Sequence, residues 1–469
     1  MTKLRKHKLI EARWPEFGKP ALLPETPAAE FKTRLENTSR AMEQLGLTHL
    51  LVYADREHFA NMTYLTGFDP RFEEALLIIR AGAKPLLLVG NESEGFLTVS
   101  PLFNYGSIRA ERYQPFSLLD QPRDASRLIK DIFSGEKITA GAKVGCAGWK
   151  YFSEKEHPGS RFAIEIPAFL VDALRELAGK ENVINAGEIF MHPAHGLRAR
   201  CTASEIASFE YTNVLASEGM RNMIRVARPG MTDLEIASAS GYNGLPLACH
   251  MTLAAGENSG RGLSGPTGVR IKTGDPVSLN LSYRGSNSCR AGWIASGPDD
   301  LPPAARNYID GFAGPYFSAV GAWFEKLTAG TKGGELEKII ADNLPFSKFG
   351  IFLNPGHLIH LDEWLSSPVY RGSEIPLVSG MAMQSDIIPV SETFFSTRVE
   401  DGLVLADKKL QDDLKQKYPD CHSRCVARRD FMRDTLGIPV RDDVLPLSNI
   451  PGIVPPFFLK PELIFALEK

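Results

Sequence analysis

Asn354-Pro355-Gly356-His357-Leu358-Ile359-His360-Leu361-Asp362 sets two histidines into a short apolar run. The chain around it reads as strands: Pro276-Val277-Ser278-Leu279-Asn280-Leu281-Ser282 upstream, and residues 380–388 and 397–405 downstream. A helical insert is predicted over roughly 303–344. Further upstream the pattern is helical. Thr202-Ala203-Ser204-Glu205 is a capping box, in which hydroxyl and carboxylate each satisfy an orphan N–H. It predicts a long helix to about residue 226, ended by Arg228-Pro229-Gly230. Thr232-Asp233-Leu234-Glu235 repeats the box, and each cap is worth about 1 kcal/mol of helix stability.

The N-terminal part has a different texture. Phe31, Leu35, Met42 and Leu45 recur at helical spacing and Gly46 ends that helix. Strands are predicted at 50–53 and 75–79, with 85–90 as a hairpin partner across residues 81–84, and further strands at 143–146 and 183–184. Helices fall between them at 125–132 and 168–178, the second with Pro167 at its start. Such alternation predicts an α/β layer domain over 1–190. From about Lys408 the chain changes again. Residues 410–417 form a charged helix, whereas 445–459 are very apolar but too rich in proline for a helix. An extended arm lying on another surface, its own or a partner subunit's, accounts for both features.

At 469 residues the chain exceeds what one core usually serves, so two or three domains are expected. Its 43% hydrophobic and 23% charged residues are ordinary globular composition. A net charge of −3 gives no broad attraction for nucleic acid. Residues 1–13 carry Lys3, Arg5, Lys6, Lys8 and Arg13, lack the apolar run of a secretory signal, and include Glu11, which counts against a transit peptide; a solvated arm is expected. No stretch approaches the roughly 18 uncharged apolar residues of a membrane span. Six scattered cysteines fit reduced thiols in a cytoplasm. Cys421-His422-Ser423-Arg424-Cys425 lacks the second ligand pair of a zinc site and reads as helix with two thiols.

Five stretches, in order, resemble the creatinase, prolidase, aminopeptidase P and methionine aminopeptidase superfamily. Leu197-Arg198-Ala199-Arg200 with Ser204-Glu205-Ile206 resembles its K-x-x-x-E-I helix. Ala254-Ala255-Gly256-Glu257-Asn258 resembles S-G-x-N, and Lys272-Thr273-Gly274-Asp275-Pro276-Val277 resembles K-x-G-D-x-V. The 354–362 stretch resembles G-H-G-I-G-L-D; Gly380-Met381 up to Asp386 resembles G-M-x-x-x-x-E-P; Arg398-Val399-Glu400-Asp401 resembles R-x-E-D. The likeness runs to about residue 406. It implies an α/β creatinase-type N-terminal domain (1–190), an α+β "pita-bread" domain (195–406), and a C-terminal extension (407–469) of helix plus proline-rich arm.

In the metallopeptidase branches the resemblance implies two divalent ions on two aspartates, one histidine and two glutamates. Closely spaced hard cations need several carboxylates, and their bridging water becomes a hydroxide nucleophile. Here Asn280 stands at the first aspartate and Cys289, beside Arg290, at the second; His357 is present, Asp386 replaces the first glutamate and Glu400 is retained. Two carboxylates in place of four neutralise two adjacent dications poorly, so no metal and no other cofactor is expected. Creatinase, the metal-free branch, also has asparagine at the first position. Yet Leu263 falls where creatinase has its catalytic histidine, Ala291 where it has a substrate-binding glutamate, and Trp364 where the peptidases have a second histidine.

The candidate catalytic residues are therefore His357, Asp386, Glu400 and His360, followed by His250 and Cys289; Asn280, Arg290 and Trp364 are candidates for binding substrate. Cys289 beside Arg290 could carry a depressed pKa and act as nucleophile, or be an inert buried thiol. His250, His357 and His360 could each be structural imidazoles. Asp386 and Glu400 without metal would share a proton, bind a cationic ligand, or be neutralised by Arg290 or Arg398. The leading expectation is a metal-independent cytoplasmic hydrolase, homodimeric, cleaving a C–N bond of a small, cationic or amidino-type molecule. A non-catalytic dimeric or ligand-binding scaffold is the second, and a metal-dependent Xaa-Pro aminopeptidase the third. Neither nucleic acid nor membrane is an expected partner.

Overall fold

Phe31 and Met42, two of the residues whose spacing predicts the helix, are buried with Arg34 and Thr38 on one face of Ala28–Gln44, whereas Leu35 is half-buried and Leu45, expected on that face, follows the helix and is exposed. The structure is a computed structural model that describes residues 4–468; Met1, Thr2 and Lys3 of the expected N-terminal arm lie outside the described residues. It divides into two units, Thr26–Arg198 and Met1–Glu25 with Ala199–Lys469.

In the Thr26–Arg198 unit six strands lie in the order Arg109–Arg112, Leu86–Val89, Ala75–Arg80, His49–Ala54, Val144–Ala147, Val183–Asn185. The predicted hairpin forms with Ala75 opposite Val89. His49–Ala54 is buried throughout and runs parallel to Val144–Ala147, as expected for a strand covered on both faces. Leu51, Leu76, Ile78, Phe116 and Leu174 belong to its core. Ala168–Ala178 is helical after Pro167, as predicted. The helix expected over 125–132 instead spans Ile129–Gly135. Its first turn is lost because the Gln114 side chain accepts from the Ala125 N–H (2.7 Å) and Ser126 Oγ accepts from the Gln114 N–H (3.1 Å).

The second unit holds two four-stranded sheets. One runs Arg398–Glu400, Ser288–Trp293, Pro276–Leu281, Thr252–Ala255; the other runs His357–Leu358, Ala382–Gln384, Gly402–Leu405, Val444–Pro446. Residues 397–405, predicted as one strand, are thus two strands in two sheets. Asp401 sits at the crossover, buried, with its carboxylate accepting from Arg290 Nη2 (2.7 Å) and the Gly452 N–H (3.0 Å). Both capping boxes form, starting the long helix Ala203–Val226 and the short Asp233–Ser238. The insert is helical over Gly314–Lys326 and Gly333–Asn343. Cys421 and Cys425 lie in the helix Pro419–Asp434, and among the described residues no disulfide joins any of the cysteines.

Two expectations are corrected here. The N-terminal segment is no solvated arm from residue 7 onward: His7–Glu11 pairs antiparallel with Leu463–Leu467, and Trp14 is buried with Nε1 donating to the Pro461 carbonyl (2.9 Å). Residues 1–25 accordingly group with the C-terminal unit, so the compact unit expected over 1–190 begins at Thr26 and ends at Arg198, and residues 407–469 are integral to the second unit. The apolar arm lies on its own chain. Leu445, Leu447, Ile450, Ile453, Val454, Phe457 and Phe458 are buried, and the Phe458 N–H donates to the Trp293 carbonyl (2.8 Å). Its apolar side chains therefore give no argument for a subunit interface. Among the described residues no helix is long and apolar enough to cross a membrane.

Candidate functional site

Cross-strand register builds the site. Asn280 lies opposite Cys289 and Cys289 opposite Glu400, so three strands place these residues in one row. Directly opposed residues share a face of a sheet. In the other sheet His357 lies opposite Gln384, and Asp386 follows two residues on. His357 Nε2 stands 3.9 Å from Asp386 Oδ2 and 3.9 Å from Glu400 Oε1. All three residues are buried. The predicted trio converges.

Glu363 and Asn287 complete the cluster, and neither was singled out from sequence. Glu363 Oε1 is 3.4 Å from His357 Nε2, nearer than either expected acid. The Asn287 amide donates to Glu400 Oε1 (2.8 Å) and Glu363 Oε1 (3.3 Å), bridging the carboxylates. The Asn280 amide donates to Asn287 Oδ1 (2.5 Å) and Cys289 Sγ (3.0 Å). The available signals were adjacency: Glu363 precedes Trp364, at the second-histidine position, and Asn287 lies in the stretch aligned to the second aspartate. Trp364 stacks on the His357 ring, centroids 4.1 Å apart and planes 18° from parallel. It holds the imidazole rather than offering a polar group.

The electrostatics follow from burial and like charge. Burial opposes a charged His357 ring, but Glu400, Glu363 and Asp386 outweigh it and hold its pKa up at about 9. Asp386 is pushed well above the usual carboxylate range by burial and then by the Glu400 charge. Glu363 is raised by burial and Glu400 against the pull of His357. Burial also works against Glu400, yet His357, the Cys289 thiol and Arg398 hold it below its ordinary value. These directions favour an imidazolium–carboxylate pair, His357–Glu400, with Asp386 and Glu363 the acids more disposed to hold a proton.

Four candidates fall elsewhere or lose their expected chemistry. Arg290 follows Cys289 on the strand and points to the opposite face. Its guanidinium donates to Asp401 Oδ2 and to the carbonyls of Cys289 (2.7 Å), Glu400 (3.1 Å), Ile450 (2.7 Å) and Ile453 (2.6 Å). It ties down the arm rather than lining the pocket. Without that cation on its face, Cys289 is pushed well above its ordinary pKa by burial and by Glu400, the reverse of an activated thiol. His360 turns away from His357 and places Nε2 3.0 Å from Glu205 Oε1, edge-on to Phe209. His250 is exposed, bonded through Nε2 to the Leu263 carbonyl (3.0 Å).

Metal fit can be judged from the donors. Two ions do not fit, because Asn280 and Cys289 occupy two carboxylate positions and bond to each other. One divalent ion does. Donor atoms of His357, Asp386 and Glu400 lie within 4.8 Å of one another, and His357 Nε2 and Asp386 Oδ1 have no hydrogen-bond partner. His357 Nδ1, 3.1 Å from the Leu358 carbonyl, is placed to carry the ring proton of a ligating tautomer. Such an ion would lower the pKa of a bound water or polarise a carbonyl.

No family model and no curated protein matches the sequence. Solved structures do match. Dipeptidase PepE from Mycobacterium ulcerans superposes with a TM-score of 0.62 at 18% identity, over 81% of this chain and 95% of that one. A Xaa-Pro dipeptidase from Bacillus anthracis gives 0.60 at 15%, over 81% and 96%. The prolidase from Pyrococcus furiosus gives 0.59 at 17%, over 79% and 96%. Identity this low carries the fold alone: this chain has the fold of these dipeptidases and prolidases, the pita-bread fold that the motifs imply.

Proposed function

We propose that the protein is a hydrolase of the Xaa-Pro peptidase/creatinase kind that cleaves a C–N bond of a small, cationic or amidino-type molecule without a metal pair, in a reducing cytoplasm. The observation that carries this reading is His357 set among three carboxylates, with Glu363 3.4 Å away and the only one of the three partly open, its side chain 24% accessible. Water attacks the substrate carbon while Glu363, whose raised pKa makes it a stronger base, takes the water proton. The C–N bond breaks as the His357 imidazolium protonates the departing nitrogen. Glu363 then returns its proton to His357, restoring both groups. Asp386, which burial and the Glu400 charge dispose to hold a proton, serves when protonated as a hydrogen-bond donor to the substrate carbonyl or amidine, and the excess of carboxylates favours a cation. Homodimer formation belongs to the same proposal on family resemblance alone, and light scattering tests it.

A second reading, one divalent ion on His357, Asp386 and Glu400, is favoured by the two partnerless donor atoms there. Amine release from guanidino and amidino compounds and Xaa-Pro dipeptides, with and without chelator, separates the readings. Chelator-resistant release, lost in Glu363→Gln and His357→Asn while a ligand-induced melting shift persists in Glu363→Gln, is expected. Release that chelator abolishes and divalent ions restore would replace the first reading by the second. Neither release nor a melting shift with any compound would leave a scaffold.

A further inference from the structure

A second group of ligating side chains lies outside the pocket. Donor atoms of Cys201, Glu205 and His360, all buried, fall within 4.8 Å of one another. We propose that these three residues bind a single borderline-soft divalent ion of the zinc class, at positions distinct from those of the superfamily's metal pair.

The donor set suits such an ion. Thiolate, carboxylate and imidazole are zinc ligands, and at about 2.0–2.3 Å from the metal a tetrahedral arrangement sets donors roughly 3.3–3.7 Å apart. His360 Nε2 and Glu205 Oε1 already stand 3.0 Å apart. The capping box prepares the carboxylate: Glu205 Oε2 accepts from the Thr202 N–H (2.9 Å) and Oγ1 (3.2 Å), which leaves Oε1 directed at His360. That is the outer-shell orientation that metal-bound carboxylates need. One thiolate and one carboxylate offset the charge of a dication, with a neutral imidazole completing the set, and Cys201 belongs to the same buried apolar cluster as Ile206, Phe209, Ile359 and Ala382.

Access comes from one side. Cys201 lines a surface cavity of about 860 Å³ with Arg200, Gly380, Lys409 and the acidic Asp407, Asp412 and Asp413. Three protein ligands leave a fourth position for water or a small anion. His360 stands where the resembling motif has glycine, so the imidazole is this chain's own addition. The ion would clamp the start of the helix Ala203–Val226 to the chain three residues beyond His357.

Full-length protein stripped with chelator and titrated with Zn(II) or Co(II) tests the site. Stoichiometric binding is expected, with a near-ultraviolet thiolate-to-cobalt band that disappears in Cys201→Ser and persists in Cys289→Ser and Cys249→Ser. Affinity should fall at least tenfold in His360→Ala and be unaffected in His357→Asn. Because the His360 change alters packed groups, the band in the unmodified protein is the primary readout and Glu205→Gln, which keeps the cap, the supporting variant. Absence of a thiolate band in the unmodified protein overturns the proposal and leaves the His360–Glu205 contact as a hydrogen bond without a metal. A band that survives Cys201→Ser overturns it equally.

Discussion

Replacing Arg290 by methionine is expected to destabilise the C-terminal unit by about 3–5 kcal/mol, the range for removing one partner of a buried ion pair. Arg290 is wholly buried and donates to the Asp401 carboxylate and four main-chain carbonyls, two of them on the 445–459 arm. Summing these bonds at about 1 kcal/mol each gives a similar figure, but the orphaned charge dominates. Asp401 is already raised by burial, with Arg290 as its main opposing influence, so the variant drives it further up and it takes a proton. A carboxyl whose folded-state pKa is raised has its stabilising share at low pH and loses it as pH rises through that value. The penalty in Arg290→Met should therefore be larger at about pH 8 than at about pH 5, where the carboxyl protonates more readily. Urea unfolding followed by tryptophan fluorescence reads it, since Trp293 lies three residues along the same strand. Adding Asp401→Asn should recover part of the loss. A penalty below about 1 kcal/mol, or one that does not change with pH, would refute the charge argument.

Three further outcomes are expected. His357, raised from 6.5 to about 9, stabilises the fold fully below its ordinary pKa and loses that share as pH rises through about 9, so the urea midpoints of wild type and His357→Gln should converge in alkaline solution. Asp386→Asn should cost under about 1 kcal/mol at neutral pH, because burial and the Glu400 charge already disfavour the ionised carboxylate it replaces, whereas Glu400→Gln should cost about 1–3 kcal/mol by depriving Asn287 and His357 of their charged partner. Equal costs for the two would contradict the charge assignment. Deleting residues 1–13 should lower the melting temperature, since it removes the strand His7–Glu11; an unchanged melt would restore the solvated-arm reading.

What was legible in the sequence was local chemistry. Thr202 and Glu205, or Thr232 and Glu235, bond each other over three residues, so the boxes formed as read. Pro167 and the 81–84 turn are equally self-contained. What failed depended on distant partners. Nothing near His7–Glu11 announces a strand whose partner is at the other end of the sequence, and nothing local says that Asp401 divides 397–405 between two sheets. The convergence of His357, Asp386 and Glu400 was legible because motif spacing fixes their positions. Arg290 was misplaced because adjacency to Cys289 was read as proximity, while strand alternation turns neighbours to opposite faces. Glu363 was missed because no motif position carries it.

The pairing of His7–Glu11 with Leu463–Leu467 bears on how the chain is made. Trp14 and its acceptor Pro461 are 447 residues apart, which at about 5–20 residues per second means roughly 20–90 s between the emergence of one and the other. During that interval Thr26–Arg198, contiguous in sequence, has all its own strands and can fold on the ribosome. Leu9, Ile10 and Trp14 have nothing to cover them. The basic residues Lys3, Arg5, Lys6, Lys8 and Arg13 interrupt and flank this apolar stretch as gatekeeper charges do, keeping a nascent strand soluble until its mate is synthesised.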